Sequence, residues 1–166
     1  MEELSFTTGQ VYGLADLTRN QIQHWIATGL ITSEVQDAAG GRKHRRWSFR
    51  DLIGLRTIRQ LLANGLSVQR VRKVVAELRE WTDASNNLAA LARARIVVMG
   101  NGERVAIITE AGKFAELWPQ AGQMYLFDMR EVVHDVLKAM EAAGMDREIR
   151  VLRTSNAWIL KEEAVA

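Results

Sequence analysis

Asn20, Gln23 and His24 recur along the stretch TRNQIQHWIATG, residues 18–29. Asn and Gln each carry a paired donor and acceptor, the arrangement that meets the N6 and N7 edge of adenine in the major groove. Further on, GGRKHRRWSFR supplies Arg42, Lys43, Arg45 and Arg46, cations suited to phosphate oxygens. The chemistry on offer is reversible recognition of a polyanion, with one part that can read bases and another that can hold a backbone.

Charge placement agrees with that chemistry. Residues 42–73 contain ten Lys/Arg against one acid, Asp51, although the whole chain carries only +2. A local field of this kind steers encounter with a polyanion whatever the total charge is. It does not separate DNA from RNA.

The elements that position these groups follow from periodicity. Ile22, Trp25 and Ile26 fall at i, i+3 and i+4, one apolar stripe of a helix. At about 100° per residue, Asn20, Gln23 and His24 then project from the opposite side. Such a polar face is commonplace by itself; the neighbouring elements give it weight. Thr8 is expected to cap a first helix through about Ala15, with Val11 and Leu14 inward, after a frayed terminus at 1–5. Asp16-Leu17-Thr18 makes the turn, Thr18 caps the second helix, and Gly29 ends it. Leu30-Ile31 then starts an extended arm, and Ala38 to Arg42 suits a hairpin tip. Ser48-x-x-Asp51 reads as a capping box opening a third helix to about Asn64, with Leu52, Leu55, Ile58 and Leu62 inward. Gly65-Leu66-Ser67 is a stop and restart. A fourth helix carries Val71, Val74, Val75 and Leu78 and ends near Asp83.

Residues 6–79 resemble the DNA-binding module of the MerR family of bacterial transcription regulators. The residues that carry the likeness are FTTGQVYGLADLTRNQIQHWIATGLI, then Arg45-x-Trp47-Ser48-x-x-Asp51-Leu52, then IRQLLANGLSVQRVRKVV. The resemblance implies a winged helix-turn-helix whose second helix lies in the major groove. It places Thr18, Arg19, Asn20, Gln23 and His24 on that helix. It makes Arg45 the wing arginine and Trp47 a packing anchor, and it gives Arg59 and Arg70, beside the Gly65 turn, to a second wing. Gln23 and His24 stand where the family has arginine and tyrosine, which shifts phosphate binding toward the wing. The family's long dimer-forming helix is shortened here, since Asn86-Asn87 interrupts it.

Beyond residue 83 the period changes. Ser85-Asn86-Asn87 reads as a linker, followed by a short helix around Leu88–Arg95. ARIVVM, GNGE and RVAIIT then form a hairpin signal, with Asn101-Gly102 at the turn. GQMYLFDM is a third strand, and Val132, Val133, Val136, Leu137 and Met140 mark a helix ending at Gly144. REIRVLRTSNAWIL alternates enough for a fourth strand. This tail is faintly similar to small MerR-like proteins in which a compact β-rich part clasps a toxin.

The expected architecture is a mainly α N-terminal winged helix-turn-helix domain over 1–83 and a small α+β C-terminal domain with an antiparallel sheet over 84–166. Trp118, Tyr125 and Phe127 are more readily core than a ligand pocket. The histidines, His24, His44 and His134, fall in separate elements without zinc spacing, and Gly100-Asn101-Gly102 joins strands and opens no helix. No enzyme, cofactor or metal site is expected. Without cysteine, disulfides and thiolate metal sites are excluded. No apolar run approaches a membrane span, and the N-terminus has no leader pattern. The expected function is a cytoplasmic, nucleoid-associated, sequence-specific transcription regulator binding double-stranded DNA, as a homodimer on a palindromic operator. An antitoxin-like module with a heterologous protein partner at 84–166, and a weakly specific architectural DNA-binding protein, are the alternatives.

Overall fold

A computed structural model of the chain describes residues 4–31, 35–36, 45–85, 94–99, 104–108 and 124–155. In order, these form β1 (Ser5–Thr7), α1 (Thr8–Leu14), α2 (Arg19–Ala27), β2 (Val35–Gln36), β3 (Arg45–Ser48), α3 (Phe49–Ala63) and α4 (Val68–Ser85). They continue as β4 (Arg95–Met99), β5 (Arg104–Ile108), β6 (Met124–Asp128), α5 (Met129–Ala142) and α6 (Asp146–Ser155). The mainly helical first part and the α+β remainder agree with the expected fold class. The described residues group into two compact units, one running to Arg59 and resuming at His134, the other spanning Gln60–Val133.

In the first unit a small antiparallel sheet has the order β1-β3-β2. Phe6 pairs with Trp47, and both are fully buried. A side chain of that size contributes roughly 2–3 kcal/mol on leaving water. Ser5 therefore belongs to a strand and not to a frayed end. The cap of α1 also differs from expectation. Thr7 caps it, accepting from Gln10 N at 3.2 Å while Gln10 Oε1 accepts from Thr7 N at 2.9 Å. In the Thr7-Thr8 pair only Thr7 has a Gln three residues on to reciprocate. The core side of α1 is Val11 and Leu14, and that of α2 is Ile22 and Trp25, with Ile26 half-buried. The expected box opens α3: Asp51 N donates to Ser48 Oγ at 3.0 Å, and Ser48 N donates to Asp51 Oδ2 at 2.9 Å.

Of residues 147–160, expected as a strand, 147–155 belong to the helix α6, and 156–160 lie outside the described residues. Met145, Ile149 and Leu152 are buried at helical spacing, while Val151, two residues from Ile149, is 38% exposed. Asp146 and Glu148 sit in the first turn and Arg153 in the last, which suits a helix dipole. Charge placement and a 3.6-residue period outweigh the apparent alternation.

The second unit is built on a sheet of order β5-β4-β6, all antiparallel. Its central strand is buried on both faces at Ile96, Val97 and Val98. α4 packs beside β5. Arg95, expected to close a helix, instead opens β4 opposite Asp128. Asp128 accepts from Arg130 N at 3.0 Å, capping α5, and pairs with the Arg95 guanidinium at 3.7 Å. Phe127 is core and Tyr125 half-buried. The expected hairpin tip at 38–42, the Asn101-Gly102 turn, Trp118, and the Asn86-Asn87 linker with the helix placed after it lie outside the described residues.

Candidate nucleic-acid interface

The row of polar groups on α2 depends on how the helix is held. Thr18 repeats the box of α1: Gln21 N donates to Thr18 Oγ1 at 3.2 Å, and Thr18 N donates to Gln21 Oε1 at 2.9 Å. At the other end Gly29, at φ +71, lets Leu30 N reach Trp25 O at 2.9 Å and Gly29 N reach Ile26 O at 3.1 Å. These two bonds make a Schellman stop. Buried Ile22 and Trp25 fix the rotation of α2, so Arg19, Asn20, Gln23 and His24 are all exposed, as is Thr18. Five of the expected site residues therefore lie together on one short helix and its cap. Thr18 contributes there first as a cap.

The expected wing residues take different positions. Arg45 is exposed, and its guanidinium carbon stands 5.9 Å from the Trp47 ring centroid. Trp47 is anchored below by Nε1, which donates to Thr8 Oγ1 at 3.1 Å, and Thr8 Oγ1 in turn donates to Arg45 O at 3.4 Å. Arg46 is half-buried and turned inward. Its Nε and Nη2 donate to Ser5 Oγ at 3.1 and 2.8 Å, and Nη2 also reaches Ser5 O at 3.2 Å. Arg46 thus ties β3 to β1. Arg42 and Lys43 lie outside the described residues.

Arg59 pairs with the Asp16 carboxylate in the turn that precedes α2. Sequence reasoning named both residues without joining them. The signal was an aspartate, and not a glycine, between two short helices. Arg70 lies in the second unit, half-buried, with its N–H directed to the Ser67 cap at 3.4 Å.

Residues 6–78 match the sequence model of the MerR HTH family regulatory protein. This stretch is a MerR-family regulator segment. Within the MerR segment fall β1, α1, α2, β2, β3, α3 and most of α4. An uncharacterized HTH-type transcriptional regulator of Mycobacterium bovis is 33% identical over 67 residues, 40% of this chain and 30% of that protein. Proteins of the same description from two strains of Mycobacterium tuberculosis match equally. The alignment therefore spans under a third of the length of these relatives, and the likeness is to that part alone.

Elsewhere in the first unit, α5 and α6 border an open groove of about 460 Å³ that includes Leu137, Lys138, Glu141, Asp146, Ile149 and Arg150. It presents both signs of charge. Among the described residues no cluster of His, Asp and Glu is placed to hold a metal, and no helix is long and apolar enough to cross a membrane.

Proposed function

We propose that the chain is a sequence-specific transcription regulator that binds double-stranded DNA, inserting α2 in the major groove as a homodimer on a palindromic operator. The observation that carries this reading is the exposed row Arg19, Asn20, Gln23 and His24 on a helix capped at both ends and held by Ile22 and Trp25. A rigid polar helix face meets the geometric demand of base readout. β2 and β3 then act as the stem of a wing whose phosphate contacts are Arg45, Arg42 and Lys43. Arg70 serves a second wing. Arg46, engaged with Ser5, supports the wing from behind. Two readers on one frame convert modest half-site binding into useful affinity.

DNA reading belongs to residues 1–83 in this proposal, and self-association or sensing to 84–166. Since residues from His134 on group with those before Arg59, that boundary is one of role and not of folding. A regulator of this kind works in the cytoplasm, at the nucleoid.

A salt titration of the full chain by fluorescence anisotropy tests the reading. One duplex carries the region upstream of its own coding sequence, the other a scramble. Binding tighter by about 10³-fold on the upstream duplex, persisting at roughly 0.15 M salt, is the expected result. Equal binding that collapses with salt would contradict sequence specificity at that site. No binding to either at low salt would remove DNA as the ligand.

A further inference from the structure

α1 ends as three other helices do, with one residue in the left-handed region. Gly29, Gly65 and Gly144 occupy that position after α2, α3 and α5, at φ +71, +89 and +72. After α1 the residue is Asp16, at φ +55. The outer bond of the turn is the same, since Leu17 N donates to Tyr12 O at 3.0 Å across it. An L-residue there carries a steric cost that glycine avoids, although Asp tolerates it better than most. Among the described residues Asp16 is the sole non-glycine with positive φ.

What a carboxylate adds at this position is its partner. Arg59, on α3, pairs with Asp16. Both side chains are well exposed, 39% for Arg59 and 63% for Asp16, so the pair adds little to stability. Its effect is on geometry. The turn lies two residues before the Thr18 cap, and the cap sets the direction in which α2 leaves.

We infer that Arg59 is a positioning residue: by clamping Asp16 in its left-handed turn it fixes the angle at which α2 presents Asn20 and Gln23, and it does not itself hold a phosphate. The inference rests on the DNA-reading proposal for its binding readout, and has a second readout that does not. Removing the carboxylate while keeping the backbone comfortable, as in Asp16→Gly, leaves the turn intact but unclamped. Stability and sequence-specific affinity then move in different directions, which a purely structural turn does not produce.

The experiment uses the full chain and a duplex that the unaltered protein selects from a random-sequence pool. D16G is expected to keep or raise the thermal midpoint while weakening the selected duplex about 10-fold, with unselected duplex unaffected. R59A should weaken the selected duplex by a similar factor, with the slope of log K against log salt unchanged. The double variant should be no weaker than either single one, since both remove one clamp. A slope reduced by about one unit in R59A, with all duplexes weakened alike, would make Arg59 a phosphate ligand and overturn the inference. So would additive losses, or D16G binding like the parent.

If the protein selects no duplex, the functional proposal fails, and amide hydrogen exchange still decides the clamp. Exchange at the first turn of α2 should rise several-fold, and equally, in D16G and R59A. Unchanged exchange there would overturn the inference.

Discussion

The Arg45 guanidinium carbon lies 5.9 Å from the centroid of the buried Trp47 ring, so an exposed cation rests on a core aromatic. An Arg over an indole face is held in place while its donors still point outward. Arg45→Ala should weaken binding to every duplex alike and reduce the salt slope by about one unit in anisotropy titrations. Trp47→Ala should cost about 3–5 kcal/mol in urea unfolding, because it empties a fully buried site and removes the donor to the Thr8 hydroxyl. The two substitutions separate a contact from its support.

Asn20 is exposed in the first turn of α2, and no hydrogen bond within the described residues occupies its side chain. Asn20→Ala should relax discrimination at one base pair by about 1–3 kcal/mol, leaving the salt slope as it was. Affinities for a panel of single-base operator variants measure this. A uniform loss across the panel would place Asn20 on the backbone.

Thr18 caps α2 and, in the proposed interface, also lies beside the duplex; substitution can split the two. Thr18→Ala removes the cap and should lower stability by about 1 kcal/mol. Thr18→Asp keeps a capping oxygen, so denaturation should be close to that of the parent. The added carboxylate lies at the exposed start of α2 and should weaken DNA binding at low salt. If both variants bind DNA normally, Thr18 lies off the interface.

Much of the N-terminal part, to the Gly65 turn, was legible in sequence because its signals are local. Thr18 and Ser48 cap where expected, Gly29 and Gly65 stop helices, and Val11, Leu14, Ile22 and Trp25 face inward. What was hidden depends on partners distant in sequence. Ser5–Thr7 is too short to announce a strand and becomes one only against Arg46–Ser48. Arg46 and Arg59 look like free cations until Ser5 and Asp16 are brought to them. The misreading of 147–160 has another origin. Ile149 and Val151 fit an alternating pattern while Ile149 and Leu152 fit a helical one, and so short a span does not separate the two.

That ambiguity yields its own test. On α6, Ile149 is buried and Val151 exposed, whereas in a strand they would share a face. Ile149→Ala should cost about 2–5 kcal/mol. Val151→Ser should stay within about 0.5 kcal/mol of the parent in the same urea titrations. Equal losses would return the segment to a strand.

The unit that carries α2 is discontinuous in sequence: it runs to Arg59, breaks, and resumes at His134. Synthesis proceeds from the N-terminus, so a nascent chain displays α2 long before Met145, Ile149 and Leu152 leave the ribosome to complete the same unit. Completion of that unit therefore waits on the last helix described. A chain stalled in Gln60–Val133 would expose apolar surface on the early segment and offer it to chaperones before it met DNA.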